Sequence, residues 1–319
     1  MEDLLLSKST WKILSKFLEY PWKKFYIREL IKISSISPNT AIRVVRHLEK
    51  SKILVSNKLG NIVEYKLNKN EEVVKKLLML YHEKFLIEIP EKFKFYIKKI
   101  RENVDKKNIL SLVLFGSVAK NKATDSSDID IMVIYEKKPS SKVINSVFEK
   151  YSKEVQIVYF SRKEFDKKYN YGNELIINIL KTGKIIYDRD FYYTYIFNPI
   201  PNPSKEYIED ILNDCEKKLY FEWEILKKNH EFLSPSLYTI INKISITLIM
   251  LNKHIPDSRK DIEIKLEKIH EKELLKLLRI VKKSWDGEIV KITREELESM
   301  LTLLQEKIRE CYTKLEEYQ

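Results

Sequence analysis

The segment Ile109-Leu-Ser-Leu-Val-Leu-Phe-Gly-Ser-Val-Ala-Lys-Asn-Lys-Ala-Thr-Asp-Ser-Ser-Asp-Ile-Asp-Ile-Met-Val-Ile-Tyr135 decides how the middle of this chain folds. Residues 109–115 form a continuous apolar run, the mark of a buried strand. The run stops at Gly116-Ser117, where a short helical stretch can start. After ten intervening residues, Asp128-Ile129-Asp130 opens another strand. In an extended chain Asp128 and Asp130 share one face, while Ile129, Ile131 and Val133 share the other. Two carboxylates one pleat repeat apart repel each other on a strand with a buried back, and a divalent cation would offset that repulsion. Hard oxygen ligands suit Mg²⁺ or Mn²⁺, completed by substrate phosphates. The Gly-Ser turn adds backbone N–H groups and a hydroxyl at a helix start, a phosphate cradle. Such parts suit the transfer of a nucleotidyl group from a nucleoside triphosphate.

The pattern Gly116-Ser117, ten residues, Asp128-Ile-Asp130, with Leu114-Phe115 before it and Ser127 beside the first aspartate, resembles the minimal nucleotidyltransferase family of the polymerase β-like superfamily. The resemblance implies that Gly116, Ser117 and Lys120 bind nucleotide and that Asp128 and Asp130 bind metal and act in catalysis. After Ser117 the family often reads Val-Ala-Arg-Gly; here it is Val118-Ala-Lys120-Asn121. Lysine keeps the charge but loses the planar fork, and asparagine tolerates a left-handed backbone. A third carboxylate on a later strand is also expected, to bind the metal that activates the acceptor. The matching strand is Glu154-Val-Gln-Ile-Val-Tyr159, and the expected aspartate aligns with Gln156, which cannot act as a base. Glu154, on the same face about 6.6 Å away, is the candidate substitute.

Composition narrows the classes further. The 319 residues suggest two or three domains. With 44% hydrophobic residues, 19 Tyr and 13 Phe, the chain is too apolar for disorder. The longest uncharged apolar stretch, Ile244 to Asn252, falls far short of the roughly 20 residues that span a bilayer. Two cysteines, Cys215 and Cys311, rule out a disulfide framework, and both fall on apolar helical stripes. With no secretion signal in MEDLLLSKST, this reads as a reducing, cytoplasmic location away from membranes. The dominance of Lys, Glu and Ile resembles an archaeal, warm-habitat composition.

Of the +12 net charge, residues 1–67 carry 13 basic and 6 acidic side chains, more than half of the excess in a fifth of the chain. That places any nucleic-acid contact at the front. Trp11, Leu14, Phe17 and Leu18 mark a helix stopped by Pro21, and residues 27–33 a second. Ser37 caps a third, about 38–51, opened by Pro38 and burying Ala41, Ile42, Val45 and Leu48. Two strands, 53–56 and 62–67, join around Lys58-Leu-Gly60-Asn61. The order resembles the winged helix-turn-helix of bacterial and archaeal regulators. It implies duplex DNA as partner, with Asn39, Thr40 and Arg43 at base edges, Arg46 on the same outward face, and Lys58 at the wing on phosphate. A winged helix used for dimerisation or domain docking is the other reading.

Residues 70–106 read as two helices joined at or kinked by Pro90, with Val73, Leu77, Leu78, Leu80, Tyr81, Phe85, Leu86 and Ile89 as apolar positions before it and Phe93, Tyr96, Ile97 and Ile100 after it, a spacer or dimer arm. The alternate prolines of Asn198-Pro-Ile-Pro-Asn-Pro203 forbid a helix and mark a stiff linker. Four or five amphipathic helices follow, weakly resembling HEPN-like or substrate-binding helical domains; no arginine is spaced from a histidine as HEPN ribonucleases require. The expected fold is multidomain α+β: a winged helix-turn-helix (1–68), a helical connector (69–106), a polymerase β-like nucleotidyltransferase α/β domain (107–197), the linker (198–203) and a C-terminal helical bundle (204–319). The expected activity is Mg²⁺-dependent transfer of a nucleotidyl group, AMP from ATP foremost, to an unidentified acceptor, which by family resemblance includes a partner toxin protein. The rival is a transcription regulator or antitoxin-like protein whose transferase fold binds nucleotide without turnover. A homodimer is a further expectation.

Overall fold

A computed structural model describes residues 7–104, 106–125, 127–138, 155–227, 233–256 and 258–318. The chain divides into two compact units, Met1–Tyr169 with Leu175–Ile200, and Asn170–Glu174 with Pro201–Gln319.

The first unit begins with α1 (Lys8–Glu19), β1 (Phe25–Tyr26), α2 (Ile27–Ser34), α3 (Pro38–Lys50), β2 (Leu54–Leu59) and β3 (Ile62–Leu67). The three strands form an antiparallel sheet in the order β1-β3-β2. Ser37 Oγ accepts the Thr40 N–H at 3.3 Å and Pro38 supplies the first turn of α3, so the helix starts where the sequence indicates. Its buried face is Ala41, Val44, Val45 and Leu48, at helical i, i+3, i+4, i+7 spacing. Val44 therefore takes the core place expected of Ile42, which is half-buried. Leu59 pairs with Ile62 across Gly60 and Asn61, and Gly60 adopts φ +60°. Lys58 thus lies within β2 opposite Val63, inside the strand instead of in the turn expected for it. The two-residue β1 has no periodicity for a sequence reading to detect.

Two helices, α4 (Glu72–Glu88) and α5 (Glu91–Glu102), part at Pro90 as expected. The buried seam of α4 is Val74, Leu78, His82 and Leu86. Val73 and Leu80, two other apolar positions of the pattern, are 43% and 59% exposed. Leu78 and Leu86 are apolar positions the pattern marks, and His82 is the seam member that an apolar pattern does not reveal. His82 Nδ1 accepts the Ile185 backbone N–H at 3.2 Å. Burial, with the nearby Lys184 charge, pushes its pKa down to about 3, so the ring is neutral and the bond is kept. Val74 and Leu78 join the core of the N-terminal elements.

The central sheet consists of β4 (Ile109–Phe115), β5 (Ile129–Tyr135), β6 (Val155–Ser161) and β7 (Lys184–Asp188), in the order β6-β5-β4-β7. β4 is antiparallel to β5 and β7, and β5 is parallel to β6. Short α6 (Gly116–Ala119) follows β4, and α7 (Arg162–Asn170), α8 (Glu174–Thr182) and α9 (Tyr193–Ile196) flank the later strands. Val113, Met132, Ile134 and Phe160 pack with Phe165, Ile176 and Ile179 on one face. Leu112, Leu114, Ile129, Ile131 and Val133 pack with Phe93, Ile97 and Ile100 of α5 on the other. With both faces covered, the strands read as nearly continuous apolar runs.

The second unit holds α10 (Lys205–Leu226), α11 (Pro235–Leu251), α12 (Arg259–Lys268), α13 (Lys272–Trp285) and α14 (Arg294–Glu316). Their apolar faces form one core that includes Cys215 and Cys311. Burial pushes both thiols up to about 12, which makes them packing residues and not nucleophiles. Among the described residues, no helix is long and apolar enough to cross a membrane.

Candidate active site

Six buried residues carry β4 to Phe115, and the chain then turns through Gly116 at φ +73°. That conformation is costly for any residue with a Cβ. Contact demands glycine as well: a Cβ built there would lie 1.8 Å from Asp130 Oδ2 and 2.7 Å from its Cγ. The register explains the approach, because Phe115 is the partner of Asp130 across the β4–β5 ladder. The acidic strand and the glycine turn are therefore one piece of structure.

Ser117 is half-buried in the first turn of α6, while Val118 and Ala119 anchor that turn in the core. The chain leaves α6 through Asn121 at φ +54°, and Lys122 N–H donates to Ser117 O at 2.9 Å. Before the second strand, Ser127 Oγ accepts the Thr124 N–H at 2.9 Å and Ser127 N–H donates to Thr124 O at 3.1 Å. This pinned turn delivers half-buried Asp128 to the start of β5. Asp130 follows on the strand, also half-buried.

Burial pushes the Asp130 carboxyl up to about 6; the charge of Asp128 adds to the shift and Lys120 opposes it. A carboxylate held at that cost beside a second one is suited to a cation. Hard oxygens beside a backbone turn free of side chain fit Mg²⁺ or Mn²⁺. Among the described residues no group of three His, Cys, Asp or Glu side chains gathers to hold an ion. Substrate phosphate oxygens would add to the coordination.

Glu154 lies outside the described residues. Gln156 is exposed on β6, directly opposite Asp130 in the parallel ladder, and its Nε2 donates to Asp128 Oδ2 at 2.8 Å. The residue at the position expected of a third acid is thus an amide bound to the first. Asp130 lies against the Gly116 turn, and the charges of Asp128 and Lys120 both act on it. In the N-terminal elements Asn39, Arg43 and Arg46 are exposed on α3 and Lys58 on β2. Thr40 is half-buried, its hydroxyl accepting from Ser37 Oγ at 2.8 Å.

Residues 98–192 match the polymerase beta nucleotidyltransferase family. A Methanocaldococcus jannaschii protein provisionally named a protein adenylyltransferase is 29% identical over 127 residues, 37% of this chain and 82% of the relative. Two solved structures are also similar. The spectinomycin adenyltransferase of Enterococcus faecialis with ATP and spectinomycin is 14% identical with a TM-score of 0.42, covering 68% of this chain and 99% of that one. A nucleotidyltransferase-like protein from Exiguobacterium sibiricum is 11% identical with a TM-score of 0.36, covering 70% and 77%.

Proposed function

We propose that this chain transfers AMP from ATP to an acceptor in a divalent-cation-dependent reaction. The observation that carries the reading is the contact of Asp130 with the Gly116 turn, beside Asp128. Gly116 and Ser117 present N–H groups and a hydroxyl to phosphate oxygens, and the ammonium of Lys120 adds charge next to them. Asp128 and Asp130 would hold the cation, which when bound polarises the α-phosphate and neutralises leaving charge. An acceptor oxygen bonds to the α-phosphorus as the bond from that phosphorus to the bridging oxygen breaks, and pyrophosphate departs. The name of the M. jannaschii relative favours a protein acceptor.

The test is incubation of the purified protein with α-labelled ATP and Mg²⁺. Label appearing on a protein, RNA or small-molecule acceptor supports transfer. Failure to bind or transfer the nucleotide overturns the reading. Saturable binding without transfer to any acceptor supports the second reading, a nucleotide-sensing regulator, which is favoured by the amide at position 156.

The N-terminal elements fit a winged helix that grips duplex DNA. In support, Asn39, Arg43 and Arg46 form an exposed polar edge on α3, and Lys58 stands exposed on the hairpin. Arg43→Ala should weaken retardation of duplex DNA by about 1–3 kcal/mol if it reads a base. Affinity should fall steeply with added salt. No retardation at low salt would exclude the DNA role.

A further inference from the structure

We propose that the acidic site is built for one divalent cation instead of two, with the Gln156 side chain occupying the place of the second. The inference rests on the nucleotidyl-transfer reading. Two-cation sites set the ions about 3.5–4 Å apart and clamp the attacking and leaving oxygens between them. A second ion would have to be shared by Asp128 and an anionic group facing it from β6. The parallel register sets Gln156 at that position, opposite Asp130. Its amide nitrogen points a hydrogen at Asp128 Oδ2 over 2.8 Å. An N–H donor meets the electrostatic need of that oxygen and repels a cation approaching from the same side.

Turning the Gln156 amide over would aim its Oε1 at the Asp128 carboxylate, acceptor against acceptor. That arrangement is unfavourable until an ion separates them, and the carbonyl is then only a neutral ligand.

The strand cannot offer another residue by shifting. Val155 is 8% exposed and packs with Ile129 and Ile131 in the core under α5, joined by Ile157 at its edge. A one-residue slip of β6 would expose them and bury Gln156.

The experiment counts Mn²⁺ bound per chain by electron paramagnetic resonance, with α,β-methylene ATP as a nucleotide that cannot be cleaved at the reacting bond. The wild-type chain is expected to take one Mn²⁺ with the nucleotide, Glu154→Gln also one, and Gln156→Asp two. Without metal the aspartate variant should melt below wild type, because it loses the hydrogen bond to Asp128 and sets a third carboxylate beside two others, so ions are counted at a temperature where both chains are folded. Two ions on the wild-type chain, or one on Gln156→Asp, would overturn the inference and leave nucleotidyl transfer standing. A drop in Mn²⁺ uptake by Glu154→Gln would overturn the assignment to Gln156. If the wild-type chain takes up neither nucleotide nor Mn²⁺, the parent reading fails with it.

Discussion

Asp130→Asn is expected to abolish nucleotidyl transfer while making the metal-free protein more stable. The loss follows from the removal of one of two carboxylates that would hold the cation. Cation polarisation is worth several kcal/mol of barrier, so transfer should fall by about 10³-fold or more. The gain follows from the burial that lifts the Asp130 carboxyl to about 6. Its ordinary value is about 3.9, so the folded chain holds a proton there that the unfolded chain has released over about pH 4–6. The cost of the buried charge is absent below about pH 4, grows as pH rises, and is complete above about 6. Undiscounted, two pH units would correspond to about 3 kcal/mol. The group is only half-buried, and solvent screening reduces this to about 1 kcal/mol.

Thermal melts in a chelator should therefore show Asp130→Asn a few degrees above wild type at pH 7.5 and level with it near pH 4. An unchanged or lower melting point at pH 7.5 would show that Asp130 carries no stored cost. The same titration makes cation uptake by the wild-type chain fall as pH drops below about 6, because the proton and the ion compete for one carboxylate.

Gly116→Ala is expected to destroy the site from the other side. The alanine Cβ meets two penalties. At φ +73° the left-handed backbone costs about 1–2 kcal/mol. The 1.8 Å approach to Asp130 Oδ2 forces the carboxylate out of place. A displacement near 1 Å in a catalytic group costs about 10²-fold in rate, so transfer should drop at least that far, with a lower melting temperature. Gly60→Ala is the matched control. Gly60 also has φ +60°, yet nothing lies within 4 Å of its added Cβ. That variant should lose stability alone and keep full transfer. Equal activity loss in the two variants would mean that the Gly116–Asp130 contact does not matter.

Several features were legible before any coordinates. The apolar run of β4, the glycine turn and the alternating aspartates are local patterns, each set by a few neighbouring residues. The same holds for the Ser37-Pro38 start of α3 and the break at Pro90. Capping, proline stereochemistry and pleat parity act over one to four residues, so a single sequence carries them in full.

Other features were decided by distant parts of the chain. His82 completes an apolar seam only because Ile185, more than a hundred positions later, offers it an N–H. Lys58 lies inside β2 because Leu59 and Ile62 pair around a two-residue turn. The meeting of Gln156 with Asp128 depends on the parallel register of β5 and β6, and the approach of Asp130 to Gly116 on the antiparallel register of β4 and β5. Registers are selected by the packing of whole faces, since a slip of one residue turns every side chain over. The sequence by itself therefore determined which residues bear the chemistry. Only the tertiary structure decided which of them touch, because contact depends on a core summed over the whole sheet.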